Sequence, residues 1–209
     1  ELPRDLGSQI LDLGCGSGHA LRYLRGAGYT AIHGIDINPA QVAAAVADGL
    51  AVEHAADTSA WLHAHPGRFT TILATDVLEH VPVAELAHLL AAIHRALAPG
   101  GRLVCTVPNA SSNVGLHWRH IDLTHHTAFT ASSLHLALAS AGFTDLQVRG
   151  SPVFRREDTR ASPARRLLER GLQALTRAWR RAELIGELGL DEARSVPLAV
   201  NLLASARRD

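Results

Sequence analysis

A short apolar run that ends in a glycine turn constrains this chain more than any other feature. Ile10-Leu11-Asp12-Leu13 leads into Gly14-Cys15-Gly16-Ser17-Gly18, and a stretch of helical period follows. Strand, tight turn and helix in that order form the first unit of a parallel sheet covered by helices. Glycine reaches positive φ without penalty and lets a ligand approach the backbone. The helix that follows offers free N–H groups at its start. A dinucleotide fingerprint needs its third glycine three residues after the second. That position is His19, and Gly18 comes two after Gly16, so the spacing argues against a nicotinamide or flavin enzyme.

The same alternation continues to Gly150. β-rich apolar runs predict strands over 9–13, 31–35, 51–55, 70–74, 102–107 and 144–149. Helical period predicts helices over 18–27, 39–48, 59–65, 83–98 and 131–141, with Pro39 suited to a first turn and Pro99-Gly100-Gly101 ending the fourth. This is a doubly wound α/β sheet. Residues 151–194 break the rhythm. Pro152 and Pro163 bracket an Arg-rich stretch, and Leu168, Leu172, Leu175 and Trp179 then recur at helical spacing opposite Arg165, Arg166, Arg170, Arg177, Arg180 and Arg181. We read this segment as a helical insertion that covers the sheet, a second subunit (a homodimer) or an anionic membrane surface met peripherally. Strand character returns over 196–206 as a seventh, final strand, making 1–209 a single domain.

The 209 residues suffice for one domain. Lys+Arg and Asp+Glu both number 20, so no global field draws the chain to nucleic acid, and its basic cluster lacks interleaved aromatics. Cys15 and Cys105 fall at strands, which disfavours a disulfide and fits a reducing, cytoplasmic setting. No apolar run reaches the length of a membrane span and no signal sequence is read at the start. The chain has no Met, so a few native N-terminal residues are expected to precede it.

The stretch from Leu11 to Gly18 resembles the first motif of class I methyltransferases. Leu73 to Pro82 resembles the fourth-strand motif of that superfamily, and Arg95 to Leu103 the turn after the following helix. The resemblance implies a Rossmann-like seven-stranded sheet with its last strand antiparallel, and S-adenosylmethionine as the methyl donor. It places Gly14, Gly16 and Gly18 against the methionine part, with Asp12 helping to hold the amino group. Asp36, at the end of the second strand, is a carboxylate at the sheet edge where ligands bind and suits a vicinal diol, so it is the ribose candidate; the alternative is a cap for the next helix. Asp57 either contacts the adenine amino group, as the resemblance implies, or caps a helix with Thr58. Ile37, Thr58 and Thr75 complete the donor-binding candidates.

The richest stretch chemically runs from Pro108 to Thr130 and includes Trp118-Arg119-His120-Ile121-Asp122-Leu123-Thr124-His125-His126. With Ala141-Gly142-Phe143 and Asn201-Leu-Leu-Ala it resembles a methyltransferase subgroup associated with polysaccharide and glycan O-methylation. Methylating an alcohol needs a base, because the oxygen attacks well only as its proton leaves. His125 is the sequence candidate for that base, with Asp122 three residues earlier to orient it and His80 near the substrate. Alternatively, Asp122 caps a turn with Thr124 and His125 holds the loop. Glu79, Asp122 and His126 are candidate metal ligands beside His117 and His120; magnesium prefers the oxygens and is a candidate without commitment, while imidazole suits zinc. The expected function is therefore transfer of a methyl group to a hydroxyl of a sugar or polysaccharide precursor. A phenol, quinone or carboxylate small molecule is the alternative acceptor, and a non-catalytic donor-binding domain the rival class.

Overall fold

The computed structural model describes residues 2–151 and 162–209. The expected bracket at Pro152 and the start of the Arg-rich stretch, up to Ala161, lie outside the described residues.

Seven strands form one sheet: β1 (Ile10–Leu13), β2 (Ile32–Asp36), β3 (Val52–His54), β4 (Phe69–Thr75), β5 (Leu97–Pro108), β6 (Thr144–Gly150) and β7 (Asn201–Arg207). Their order across the sheet is β3-β2-β1-β4-β5-β7-β6. β1 to β5 are parallel, and β7 runs antiparallel between β5 and β6. This is the Rossmann-like fold that the sequence predicted, with the antiparallel strand last. Between the strands come α1 (His19–Gly26), α2 (Pro39–Ala47), α3 (Thr58–His63), α4 (Val83–Ala96), α5 (Asn113–Ile121) and α6 (Ala131–Ser140). α7 (Pro163–Leu188) and α8 (Leu190–Ser195) fill the connection from β6 to β7, as the expected helical insertion before the final strand.

Successive strand residues point to opposite faces, and this sorts the core. Leu11, Leu13, Ile72, Ala74, Leu103 and Cys105 share one face and join Leu62 of α3, Leu90 and Ile93 of α4 and Leu134 and Leu138 of α6 in the large cluster. Ile10, Leu73 and Val104 point the other way, against Leu24 of α1 and Tyr29. On that side Leu21 of α1 and Ala45 of α2 meet Cys15 and Leu50. Both thiols are free and buried, each pushed up to about 12 by burial.

Three local departures from the sequence reading have physical causes. α5 was not predicted; Ser112 caps it by accepting from Gly115 N at 3.4 Å, and its polar residues hide the helical period. β7 begins at Asn201 rather than 196, because Pro197 O and Ala199 O instead accept from the Asn109 side chain at 2.9 and 2.8 Å. α7 leaves most of its length off the sheet: none of its residues is fully buried, and only its last turns, at Leu184 and Leu188, lie over β6.

Candidate active site

Chain direction across the sheet reverses between β1 and β4, and a crevice outside the carboxyl ends of the strands at such a point is where open α/β sheets bind ligands. A cleft of about 710 Å³ lies there, lined by Leu13, Gly14, Asp36, Ile37, Asp57, Thr58, Asp76, Val77, His80 and others. That volume suits a small organic ligand. On α4, Glu85, His88 and Leu89 face the same cleft at spacings of three and four.

The glycines divide into two kinds. Gly14 (φ 68°) and Gly18 (φ 88°) are crowded: a Cβ would lie 2.6 Å from Val77 Cγ2 and 2.2 Å from Leu50 Cδ1 respectively. Gly18 is held by packing against Leu50 and Ala45, and of the three glycines only Gly14 is in the cleft lining. Gly16 (φ 52°) faces open space, with nothing within 4 Å of where a Cβ would be. The loop is held by Asp36, whose Oδ2 accepts from Gly16 N and whose Oδ1 accepts from Asn38 N, both at 2.8 Å. Asp36 is thus not the cap of α2; Asn38 is, accepting from Ala40 N and Gln41 N. Asp57 lines the cleft and also caps α3, accepting from Ala60 N at 2.9 Å. Ile37 stands 65% exposed at the rim, an apolar surface suited to covering an adenine ring.

Asp12 is buried on β1 behind the loop and does not line the cleft. Burial, then the charge of Asp36, pushes its carboxyl up to about 7. Thr75 is likewise outside the lining; its neighbours Asp76 and Val77 take that place. Asp76 has a positive φ of 54°, costly for a residue with a Cβ, and accepts from Thr106 Oγ1 at 3.0 Å. These features fit S-adenosylmethionine: an open glycine, a carboxylate at the ribose position, an apolar rim and a buried acid behind the loop.

The acceptor side corrects the sequence assignments. Asp122 and His125 do not share a helical turn. Asp122 follows α5, and its Oδ1 accepts from Thr124 N at 2.8 Å and Thr124 Oγ1 at 2.7 Å, so it closes an Asx turn. These bonds hold the exposed carboxyl of Asp122 below its ordinary value. Asp122 Oδ2 is 3.9 Å from His125 Nε2, too far for a hydrogen bond. His125 lies outside the cleft lining, packed edge to face on His80 with ring centroids 4.5 Å apart. His80 lines the cleft, and its Nδ1 is 2.8 Å from Thr124 Oγ1. The Thr124 hydroxyl gives its proton to Asp122, so it accepts from His80. Nδ1 therefore carries hydrogen and Nε2 keeps a lone pair. Burial first, and His125 second, hold His80 below its ordinary pKa.

The predicted metal set is rearranged as well. Among the described residues the grouped ligands are Glu79, His80 and His125, with ligating atoms within 4.8 Å of one another. His126 is absent from that group; its N–H donates to Glu79 O at 2.7 Å. Glu79 is 1% exposed, neither carboxyl oxygen has a partner, and burial, then Asp76 and Asp122, pushes it up to about 8. Two imidazoles and one carboxyl suit zinc better than magnesium. The signal for Thr124 was present in the Asp-x-Thr spacing.

The fold and the cleft are those of a class I methyltransferase. Residues 1–148 match the family model described as a methyltransferase domain, and the chain belongs to that family, whose methyl donor is S-adenosylmethionine. A ubiquinone biosynthesis O-methyltransferase of Pseudomonas aeruginosa (strain LESB58) is 34% identical over 110 residues, 49% of this chain and 45% of that protein. Its namesake in Cereibacter sphaeroides (strain KD131) is 32% identical over 135 residues, 56% and 53% of the two chains. The match spans about half the length of these relatives. Among solved structures, a methyltransferase from Archaeoglobus fulgidus has a TM-score of 0.69 at 18% identity, over 96% of this chain and 86% of that one. One from Mesorhizobium loti has 0.64 at 22%, over 99% and 94%. At those identities the likeness extends to the fold alone.

Proposed function

We propose that the chain is an O-methyltransferase for a small-molecule hydroxyl, with His80 as proton acceptor and residues 1–209 acting as one domain that carries 151–194 as an insertion. The observation that carries this reading is the Asp122–Thr124–His80 relay at the rim of the cleft. When bound, S-adenosylmethionine supplies an electrophilic methyl that leaves its sulfonium as a neutral thioether forms. The chain does the rest. Gly14 and Gly16 present backbone to the methionine part, Asp12 acts on its ammonium charge from behind the loop without lining the cleft, and the free lone pairs of Asp36 take the ribose hydroxyls. Ile37, Asp57 and Thr58 bound the adenine.

Thr124 and Asp122 fix the His80 ring with its Nε2 lone pair available. The acceptor hydroxyl loses its proton to that nitrogen as its oxygen attacks, and the imidazolium formed is supported through Thr124 by the Asp122 charge. A His held below its ordinary pKa is neutral at pH 7 yet a modest base. It matches a phenol, with a pKa near ~10, better than an alcohol. This favours a phenol or quinone-type acceptor, in line with the O-methyltransferases matched above. A saccharide hydroxyl is the second reading, favoured by the polarity of Asp122 to His126 and by the glycan-subgroup resemblance. Incubation with labelled donor and a panel of phenolic and saccharide acceptors, read by mass spectrometry, separates them. S-adenosylhomocysteine release with neither class would sink the O-methyltransferase reading.

A further inference from the structure

α7 is a 26-residue helix, roughly 39 Å long at 1.5 Å per residue. Its Leu167, Leu168, Leu172, Leu175 and Trp179 are 54–73% exposed. Their spacing places them on one arc with Gly171, Ala178 and Ala182. From Arg180 onward the other side of the helix faces the fold. Arg181 Nη1 donates to the carbonyls of Ala193 and Val196, Arg180 Nε reaches Ser111 O at 3.5 Å, and Leu184 and Leu188 close a cleft over β6. The helix is therefore held by a largely polar side and turns its apolar arc outward, the reverse of a helix packed on its own sheet.

Over α7 six arginines (165, 166, 170, 177, 180, 181) stand against three glutamates (169, 183, 187), a net charge of +3. We propose that α7 docks on an anionic lipid surface, its apolar arc at the boundary of headgroups and acyl chains, with the exposed Arg170 and Arg177 rather than the fold-bound Arg180 and Arg181 reaching lipid phosphates. An interfacial helix has this composition: Leu and Trp on one face, Arg on the other, and no stretch able to span. The net charge of +3 is complementary to anionic headgroups, whereas a second copy would bring a helix of the same sign alongside, and this favours the lipid surface. Arginine stems can lie along apolar surface while their heads stay at phosphate level.

The test is flotation of the full chain with vesicles of phosphatidylcholine alone and of an equal mixture with phosphatidylglycerol. The chain should float with the mixture only, and high salt should release it. Leu172→Gln with Trp179→Gln should abolish flotation without altering charge. Each of Arg170→Gln and Arg177→Gln, both exposed, should weaken partition by about fivefold. Circular dichroism and donor binding should be unchanged in all of them, since these side chains lie outside both core and cleft. Flotation that ignores lipid charge, no flotation, or flotation that survives the Leu172/Trp179 change would each overturn the proposal. So would a dimer in sedimentation that the Leu172/Trp179 change dissociates, which would assign the face to a second copy.

Discussion

The ring of His80 is tied through Nδ1 to the hydroxyl of Thr124 at 2.8 Å, although the two residues stand 44 apart in the chain. This bond joins the 3₁₀ turn after β4, Leu78–His80, to the turn after α5, and under the proposed function it couples the donor side of the cleft to the acceptor side. Its removal should misalign the base while leaving the donor site whole. Thr124→Val is expected to lower kcat by about tenfold with little change in KM for either substrate, and Thr124→Ser should restore it. A kcat loss that Ser fails to rescue would show that Thr124 matters for packing alone.

His80 and His125 should separate by kind of defect. His80→Asn is expected to cut turnover by roughly 10² to 10⁴, the contribution of a placed proton acceptor, with donor affinity within about twofold. Because the neutral imidazole is the active form and its pKa is lowered, the acidic limb of the parent's rate profile should fall below 6.5 and vanish in the variant. His125→Ala removes a nearly buried ring packed on His80 and should chiefly lower stability, by about 1–3 kcal/mol. Turnover lost with His125 and kept without His80 would restore His125 as the base.

Asp36 holds the glycine loop even before a ligand arrives, so Asp36→Ala should act twice. Loss of its bonds to Gly16 N and Asn38 N should destabilise the free protein, and donor binding should weaken by about 1.5–3 kcal/mol, the range for a hydrogen bond to a charged group. Thermal unfolding without donor and calorimetric titration with it read the two effects. An unchanged melting temperature beside weakened binding would mean that the loop stands without Asp36.

What the sequence disclosed follows from how local each signal is. The strand and glycine turn at Ile10 to Gly18, the carboxylate ending β2 and the Pro99-Gly100-Gly101 stop are all set by neighbours in the chain, and all were legible. At Gly18 the sequence could not show the crowding by Leu50, thirty-two residues away, because no local pattern displays it. The choice between His125 and His80 turned on which ring reaches the cleft, and both spacings were compatible with catalysis. α7 gave a correct helical period, yet periodicity does not say whether an apolar face points in or out.

Zinc should inhibit where magnesium does nothing. His80 Nδ1 is committed to Thr124, so the nitrogen it could offer a cation beside Glu79 and His125 is Nε2, the same lone pair that takes the acceptor's proton. Added zinc is expected to lower turnover and a chelator to restore it, with less effect in Glu79→Gln, which withdraws one ligand. Stimulation by zinc, or loss of activity on chelation of the protein as purified, would reverse the assignment and make the cluster a working metal centre.

Donor binding should release a proton near neutral pH, and the source should be Asp12. In the free protein its carboxyl stands near 7, raised from 3.8 by burial and by the charge of Asp36. A cationic donor on the far side of the glycine loop favours the ionised form and draws the pKa down, so at pH 6 to 7 (about the raised value) binding expels a fraction of a proton per site. Titration calorimetry in buffers of different ionisation enthalpy should show this release, fading well above the raised pKa, and Asp12→Asn should abolish it. The sign for folding is set by the same shift. A carboxyl raised in the folded state favours folding below its unfolded value, and that contribution is lost as pH rises from 3.8 towards 7. The free protein should therefore lose stability across that interval relative to Asp12→Asn, and the donor should restore it. If proton release is the same in the variant as in the parent, another group answers the donor's charge, and Asp12 is a buried acid of the sheet with no part in binding.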